Sequence, residues 1–286
     1  MNDLLQAVYK TDLAKVNDAK LDERSRYLRR LIFRAVINGG RGHIGAALSL
    51  VEIIRVLYDE VLRFRPGDPK WNGRDRFILS KGHGCLALYA VLTDKGFFSA
   101  EELDRFCHYD SILGGHPEVI TPGVEASTGA LGHGLPIGVG RALAARARKA
   151  GYRVYVLMGD GEINEGSVWE AAACADKYRL SNLTVIIDYN KLQSAGSVFD
   201  IQSMEPLADK WRSFGFTVFE CNGHDVADLS RAFGEAKDCE GPGVLICHTV
   251  KGKGIPSAEH NPFWHHKVKL SEDLVKDIKQ ALGESV

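Results

Sequence analysis

The sequence predicts an α/β fold, a parallel sheet covered by helices on both faces, and two observations carry that prediction. Within Tyr152 to Leu192, an apolar run (Val154 to Met158) and a second one (Leu183 to Ile187) bracket a helix-like segment, which reads as a β-α-β unit. Short apolar runs then alternate with helical patterns along nearly the whole chain, the signature of a parallel sheet with helices packed on each side. There is no linker, low-complexity segment or internal repeat, so residues 1–286 read as a single domain with an N-terminal helical extension.

The elements follow in order. Residues 1–19 and 22–38 read as helices, the second carrying RYLRRLIFRAVI with apolar positions at helical spacing. The glycine-rich segment 38–45 reads as a turn, and Ala46 to Leu62 as one apolar helix. RFRPGDPKWNGRD is a loop punctuated by proline and glycine, followed by a short strand, Arg76 to Leu79, and a helix opened by Ser80-Lys81-Gly82-His83-Gly84. Residues 99–109 read as helical, Leu113 to Gly134 as a loop, and Pro136 to Ala150 as a tightly packed small-residue helix. Beyond the β-α-β unit come a loop at 193–203, a helix near 204–214 and a strand at Phe216 to Glu220. A helix at 226–237, a strand at Gly243 to His248, the KGKG segment and a C-terminal helix complete the chain.

Composition narrows the classes. Hydrophobic content of 45% with 26% charged residues suits a sizeable globular core. A net charge of −1 gives no electrostatic argument for nucleic acid or an anionic membrane surface. The basic clusters Arg24 to Arg34 and Lys251 to Lys253 read as solvated helix faces or loop ends, the second of which could still touch an anionic ligand. Six cysteines without CxxC spacing read as reduced thiols. With no signal-peptide pattern and no apolar run of spanning length, the expected location is cytoplasmic.

Asp160, in Gly159-Asp160-Gly161, and Asn190 fall at the C-terminal ends of two successive strands, the edge where open α/β sheets bind ligands. One carboxylate and one carboxamide suit a hard cation such as Mg²⁺, which keeps positions for phosphate oxygens and water. GDG after a strand is by itself commonly just a turn; Asn190 at the matching end of the next strand makes it a candidate site. Four histidines next to glycine turns, strand ends or helix starts (His43, His83, His116 and His265) add groups suited to diphosphate binding and proton transfer near pH 7.

The motifs GHIGAALSLVEI, DRFILSKGHGCLALYAVL, GGHPE, PGVEASTGALGHGL, GDGEINEGSVWEA, VIIDYNKLQ, NGHD and TVKGKG together resemble the N-terminal, diphosphate-binding half of transketolases. The resemblance runs from about residue 25 to 275 and is strongest to the N-terminal subunits of split transketolases. It implies the thiamine diphosphate (ThDP)-binding fold, with ThDP and Mg²⁺ as cofactors and Ca²⁺ or Mn²⁺ as possible substitutes for the metal. By matching position, Asp160 and Asn190 would bind the metal through side chains and Leu192 through its carbonyl, and Gly159 and Gly161 would approach the diphosphate. His83 and His265 resemble the pair that contacts diphosphate and lines the substrate channel; His43 and His116 resemble those near the reacting carbons. Gly129 and Leu131 would border the aminopyrimidine, and Glu165 and Glu170 fall where the family has carboxylates at the subunit interface that connect the active sites. Three departures stand out: Ile44 where proline is frequent, His133 where glutamine is frequent, and His266 in place of a glycine, which leaves open whether His265 or His266 faces the cofactor.

The resemblance implies transfer of a two-carbon ketol unit from a ketose to an aldose. It also implies a second subunit, carrying the pyrimidine-binding domain and its activating glutamate, in an α₂β₂ heteromer. A pentose phosphate, a branched sugar phosphate or a sulfonated sugar would each suit this half. The alternatives are an alpha-type subunit of a 2-oxo-acid dehydrogenase, which shares GDG…N, and a non-catalytic subunit that keeps the fold.

Overall fold

The computed structural model describes residues 11–284. A five-stranded parallel sheet forms its centre, with strands β2 (Arg76–Leu79), β3 (Val154–Gly159), β4 (Leu183–Tyr189), β5 (Thr217–Asn222) and β6 (Gly243–His248) in the order β2-β3-β4-β6-β5. All pairings in this sheet are parallel, and Gly159 stands opposite Asp188 where β3 and β4 end. Successive residues point to opposite faces, so each strand feeds two cores. Phe77, Leu79, Tyr155, Leu157, Ile186 and Leu245 pack on one side; Ile78, Val156, Met158, Val185, Ile187 and Val244 pack on the other.

The first face is covered by α2 (Glu23–Gly39), α3 (Ile44–Leu48), α4 (Val51–Val56), α5 (Cys85–Asp94) and α11 (Val226–Lys237). The second is covered by α7 (Gly134–Ala147), α8 (Gly166–Lys177) and α10 (Leu207–Ser213). Both faces are therefore shielded, as expected. Short helices α1 (Leu13–Asn17), α6 (Glu101–Asp104) and α9 (Val198–Ile201), with the C-terminal α12 (Glu272–Ala281), complete the described chain. Side-chain caps open several of them: Asp12, Asp22, Ser197, Asp225 and Ser271 each accept from an amide of the first turn. The part of the expected 1–19 helix that falls on residues 1–10 lies outside the described residues. No described helix is long and apolar enough to cross a membrane.

Three expectations are corrected. The Ala46–Leu62 helix is instead α3, a break at Ser49-Leu50, α4 and a π-type turn at Leu57–Val61. The break has a cause: the Ser49 hydroxyl turns inward to donate to Asp188 Oδ2 (2.7 Å). The helix at 99–109 shrinks to α6, because Cys107 adopts φ +59° and its amide bonds the Leu113 carbonyl (2.8 Å) across the loop. The glycine-rich turn contains a strand, β1 (Arg41–Gly42), paired antiparallel with β7 (Lys267–Val268), a contact between remote parts of the chain that local sequence cannot signal.

Candidate active site

The C-terminal ends of β2, β3, β4 and β6 converge on one cleft of about 280 Å³. Its walls hold His43, His83, His116, His265, Gly129, Leu131, Gly159, Asp160, Gly161, Asn190 and Leu192. Glu165 and Glu170 do not line it. They are exposed on the N-terminal half of α8 and its approach, so the structure gives them no position for touching a ligand in this chain's cleft.

Asp188 and Glu162, which local sequence does not single out, hold the floor together with Lys81 and Lys251. Asp188 is fully buried and accepts from Ser49 Oγ (2.7 Å), Lys81 Nζ (2.6 Å), Asn190 Nδ2 (3.0 Å) and Thr249 Oγ1. Burial alone would raise its pKa, but the Lys81 charge and these donors hold the carboxylate below its usual range. It thereby turns the Asn190 carboxamide so that Oδ1 is the atom left to accept, which it does from the Leu192 amide (3.1 Å) with a lone pair to spare. Glu162, also buried, is a three-way clamp accepting from the amides of Gly132 (2.9 Å) and Gly159 (3.1 Å) and from the Ser80 hydroxyl. It ties the SKGHG, TGALGHG and GDG segments together at one point. Lys81 and Lys251 bring two cations; Lys251 Nζ donates to the carbonyls of Leu192 and Gln193, both at 3.0 Å. Lys81 is visible in the SKGHG motif and Lys251 in KGKG, but their convergence on one floor depends on the fold.

The loops carrying the predicted residues are fastened from below. Tyr89 Oη donates to the Gly114 and His116 carbonyls (3.1 and 3.0 Å), fixing the GGHPE segment. Thr128 Oγ1 donates to the Leu79 carbonyl (2.7 Å) and Ser167 Oγ to that of Gly132 (2.9 Å), fixing Gly129 and Leu131. Gly132 has φ +82°, and a Cβ there would sit 2.5 Å from Glu165 Cβ, so only glycine fits. A buried Arg29–Glu52–His224 chain supports the KGKG segment. Arg29 forks onto Glu52 (2.6 and 3.1 Å) and donates to the Lys253 carbonyl (2.9 Å), while His224 Nε2 accepts from the Val250 amide (2.8 Å). That amide contact fixes the tautomer: His224 carries its proton on Nδ1, 2.9 Å from Glu52.

Electrostatics set the protonation of the cleft. Asp160 accepts from the amides of Gly161 (2.8 Å) and Lys191 (2.5 Å), yet burial, followed by the nearby Asp188 charge, raises it to about 6. Lys251 falls to about 8, mainly through burial and then through Lys81. His43 stands at the centre of the imidazoles, its ring centroid 5.4 Å from His83, 5.8 Å from His116, 5.3 Å from His265 and 4.6 Å from His266. Burial first lowers His43 and His265 to about 4 and His83 further still, so all three are neutral near pH 7; the next cause is the neighbouring histidines, His266 first, for His43, the Lys251 charge for His265 and the Lys81 charge for His83. His265 lines the cleft wall and lies 5.4 Å from His83, whereas His266 is exposed at the mouth; between the two, His265 is the one that faces inward.

Asp160, the Asn190 carboxamide and the Leu192 carbonyl form a hard oxygen set of the kind that Mg²⁺ or Ca²⁺ takes. Among the described residues no group of three or more His, Cys, Asp or Glu is arranged to hold a metal, so such a cation would complete its shell with ligand or water oxygens. Two buried nitrogens of the cleft residues, Gln193 Nε2 and His265 Nδ1, have no partner among the described residues. With Lys251 beside them they provide what an anionic, oxygen-rich group needs. The residues present therefore fit a metal-bound diphosphate.

Comparison with known proteins agrees with this chemistry. The family described as "Transketolase, thiamine diphosphate binding domain" matches residues 22–285. One of the apulose-4-phosphate transketolase subunits, that of Phocaeicola vulgatus, is 43% identical over 261 residues, covering 91% of this chain and 93% of that protein. The 6-deoxy-6-sulfo-D-fructose transketolase subunit SqwG of Clostridium sp. is 38% identical over 258 residues, covering 90% and 94%. The solved transketolase of Campylobacter jejuni superposes with a TM-score of 0.87 at 34% identity, covering 92% of this chain but only 42% of that one. The chain thus spans less than half the length of the solved transketolases it matches, and nearly all of the apulose-4-phosphate and SqwG relatives. The parallel sheet, the cleft at its C-terminal edge and these matches lead to one conclusion: the chain belongs to the transketolase family and comprises its thiamine diphosphate-binding domain.

Proposed function

We propose that this chain is the diphosphate-binding subunit of a split transketolase and moves a two-carbon ketol unit from a ketose to an aldose together with a pyrimidine-domain partner. The observation that carries the reading is the meeting, in one cleft, of the oxygen set of Asp160, Asn190 and Leu192, the cation Lys251 and the neutral histidine group. Asp160 and Asn190 would hold Mg²⁺ through side chains and Leu192 through its carbonyl. Lys251, His83 and the nitrogens of Gln193 and His265 that have no partner among the described residues would hold the diphosphate. Gly159 and Gly161 would allow its close approach, and Gly129 and Leu131 would border the aminopyrimidine. When bound, ThDP supplies a nucleophilic thiazolium carbon and an electron sink.

His43 and His116 would then be the residues near the reacting carbons. As a neutral imidazole, His43 can accept a hydroxyl proton from donor or acceptor sugar and return it, which a cationic histidine could not do. Exposed Glu165 and Glu170 are available to a partner chain, in keeping with an α₂β₂ assembly. A cytoplasmic location and a phosphorylated or sulfonated ketose complete the reading, the latter motivated by the names of the two relatives above.

Purified alone, the chain should show negligible ketol transfer; with its co-purified partner it should transfer from a ketose phosphate and ignore pyruvate. Robust transfer by the isolated chain would overturn the need for a partner, and decarboxylation of pyruvate by the complex would point to a 2-oxo-acid enzyme. In the complex, Asp160→Ala should abolish Mg²⁺-dependent ThDP binding measured by calorimetry, since it removes the only charged ligand of the oxygen set; unchanged affinity would refute the assignment.

A further inference from the structure

The β1–β7 ribbon joins two segments of the cleft rim, pairing Arg41 with Val268 and Gly42 with Lys267. One step further along this register sets His43 directly opposite His266, and their rings lie 4.6 Å apart between centroids at 66°. Cross-strand neighbours on a ribbon hold their Cβ atoms at about 5 Å, close enough for two imidazoles to share one atom. The backbones on both sides are held in place. The Lys269 amide donates to the Gly40 carbonyl (2.9 Å), Trp264 is buried, and a Cβ on Gly45 would lie 2.9 Å from the Trp264 carbonyl, so the two segments are packed to contact.

We propose that His43 and His266 form a two-imidazole site for a borderline transition-metal cation, Zn²⁺ or Ni²⁺, at the mouth of the cleft. Were one nitrogen of each ring turned to a shared metal at about 2.1 Å, each centroid would lie about 3.2 Å from it, and the 4.6 Å separation would then allow an N–metal–N angle of about 90°. That is the angle of two adjacent ligands on such a cation. Water takes the remaining positions, since no described group of three or more His, Cys, Asp or Glu is arranged around a metal. The ligand chemistry separates this site from the oxygen set of Asp160: imidazole nitrogens favour Zn²⁺ and Ni²⁺, whereas Mg²⁺ prefers oxygen. Because the metal would occupy the lone pair of His43, it would block the cleft to a ketose. This consequence, unlike the binding itself, rests on the function proposed above.

The test uses the full chain in millimolar Mg²⁺ at pH 7.5, titrated calorimetrically with Zn²⁺ and separately with Ni²⁺. One site is expected in the wild type, weakened at least about tenfold in His266→Gly and His266→Gln, as for loss of a principal metal contact, and unchanged in Asp160→Ala. Equal affinity in the wild type and both His266 variants, or no binding by the wild type, overturns the proposal. Thermal midpoints of the two His266 variants within a degree or so of wild type exclude misfolding as the cause. With the reconstituted complex, Zn²⁺ should inhibit competitively with the ketose, and His266→Gln should relieve it. A complex with no transfer activity at all would refute the functional reading while leaving the calorimetric result to decide the metal site.

Discussion

Replacing Glu52 with glutamine is expected to be among the most destabilising single-atom-scale changes in this protein. Glu52 is about 1% exposed and its partner Arg29 is fully buried; the guanidinium forks onto the carboxylate at 2.6 and 3.1 Å, and His224 adds a third contact at 2.9 Å. Burial by itself raises the pKa of Glu52, but the Arg29 charge and the His224 hydrogen bond overcome this and hold it far below the usual carboxylate range. Glu52→Gln leaves the Arg29 charge uncompensated in the interior, a defect that costs about 3–5 kcal/mol. In a domain of this size each kcal/mol moves the midpoint by roughly 2–4 °C, so a fall of roughly 6–20 °C is expected by calorimetry or fluorimetry. The control is Asp104→Asn. Its bidentate pair with Arg34 has similar distances (2.7 and 2.5 Å) but both partners are more than a third exposed, so the cost should stay below about 1 kcal/mol. Equal shifts for the two variants, or a fall of under about 2 °C for Glu52→Gln, would refute the argument that burial makes this carboxylate essential.

Three further outcomes are expected. Lys251→Met should weaken ThDP binding by the complex about 10- to 100-fold, the loss of one charge-assisted contact of about 1.5–3 kcal/mol, with little change in the thermal midpoint; unchanged affinity in calorimetry would remove Lys251 from the diphosphate site. Gly132→Ala should cost both ThDP affinity and stability, because φ +82° and the 2.5 Å approach to Glu165 leave no room for a methyl, and a wild-type midpoint would contradict this. Stability should fall as pH drops below about 6.5. Burial depresses His224 and His248 in the folded state, the latter to about 4, so unfolding takes up protons that the native chain refuses. Below the unfolded histidine pKa of about 6.5 each such group removes up to about 1.4 kcal/mol per pH unit, until the pH passes through its folded value. Asp160, raised to about 6, and Glu162, also raised, both chiefly by burial, act in the opposite sense, while His43, His83 and His265, lowered by burial, add to the histidine effect. A thermal midpoint flat between about pH 7 and 5 would show that these histidines are not held neutral.

Much of the site was legible because its residues travel in short motifs. Asp160 and Asn190 are separated by one β-α-β unit, and a parallel sheet obliges both to emerge on the same edge, so their proximity follows from local pattern alone. The histidines were legible as candidates, since glycine turns mark where a loop bends toward a ligand. Asp188 was not, although it lies just before Tyr189-Asn190. Inside a run of apolar strand residues it carries no signal until Lys81, Ser49 and Thr249 arrive from three other segments. The same holds for Glu162, which looks like any acidic residue at a helix start before the Ser80 hydroxyl and the Gly132 amide close on it. Local pattern also read the segment from Ala46 to Leu62 as continuous, because propensity cannot sense a buried carboxylate that takes up the Ser49 hydroxyl at the break.

The chain by itself therefore determined the parallel sheet and, at its strand ends, the placement of the candidate oxygen set, since both depend on periodicity and on neighbours close along the sequence. Tertiary structure alone decided which groups are charged and which of the two adjacent histidines faces inward. Burial and long-range partners shift Asp160 up and His43 down, and the ribbon between Gly42 and Lys267 places His265 in the cleft and His266 at its mouth, opposite His43. Those outcomes depend on desolvation and on contacts between the two ends of the chain, which no local pattern encodes.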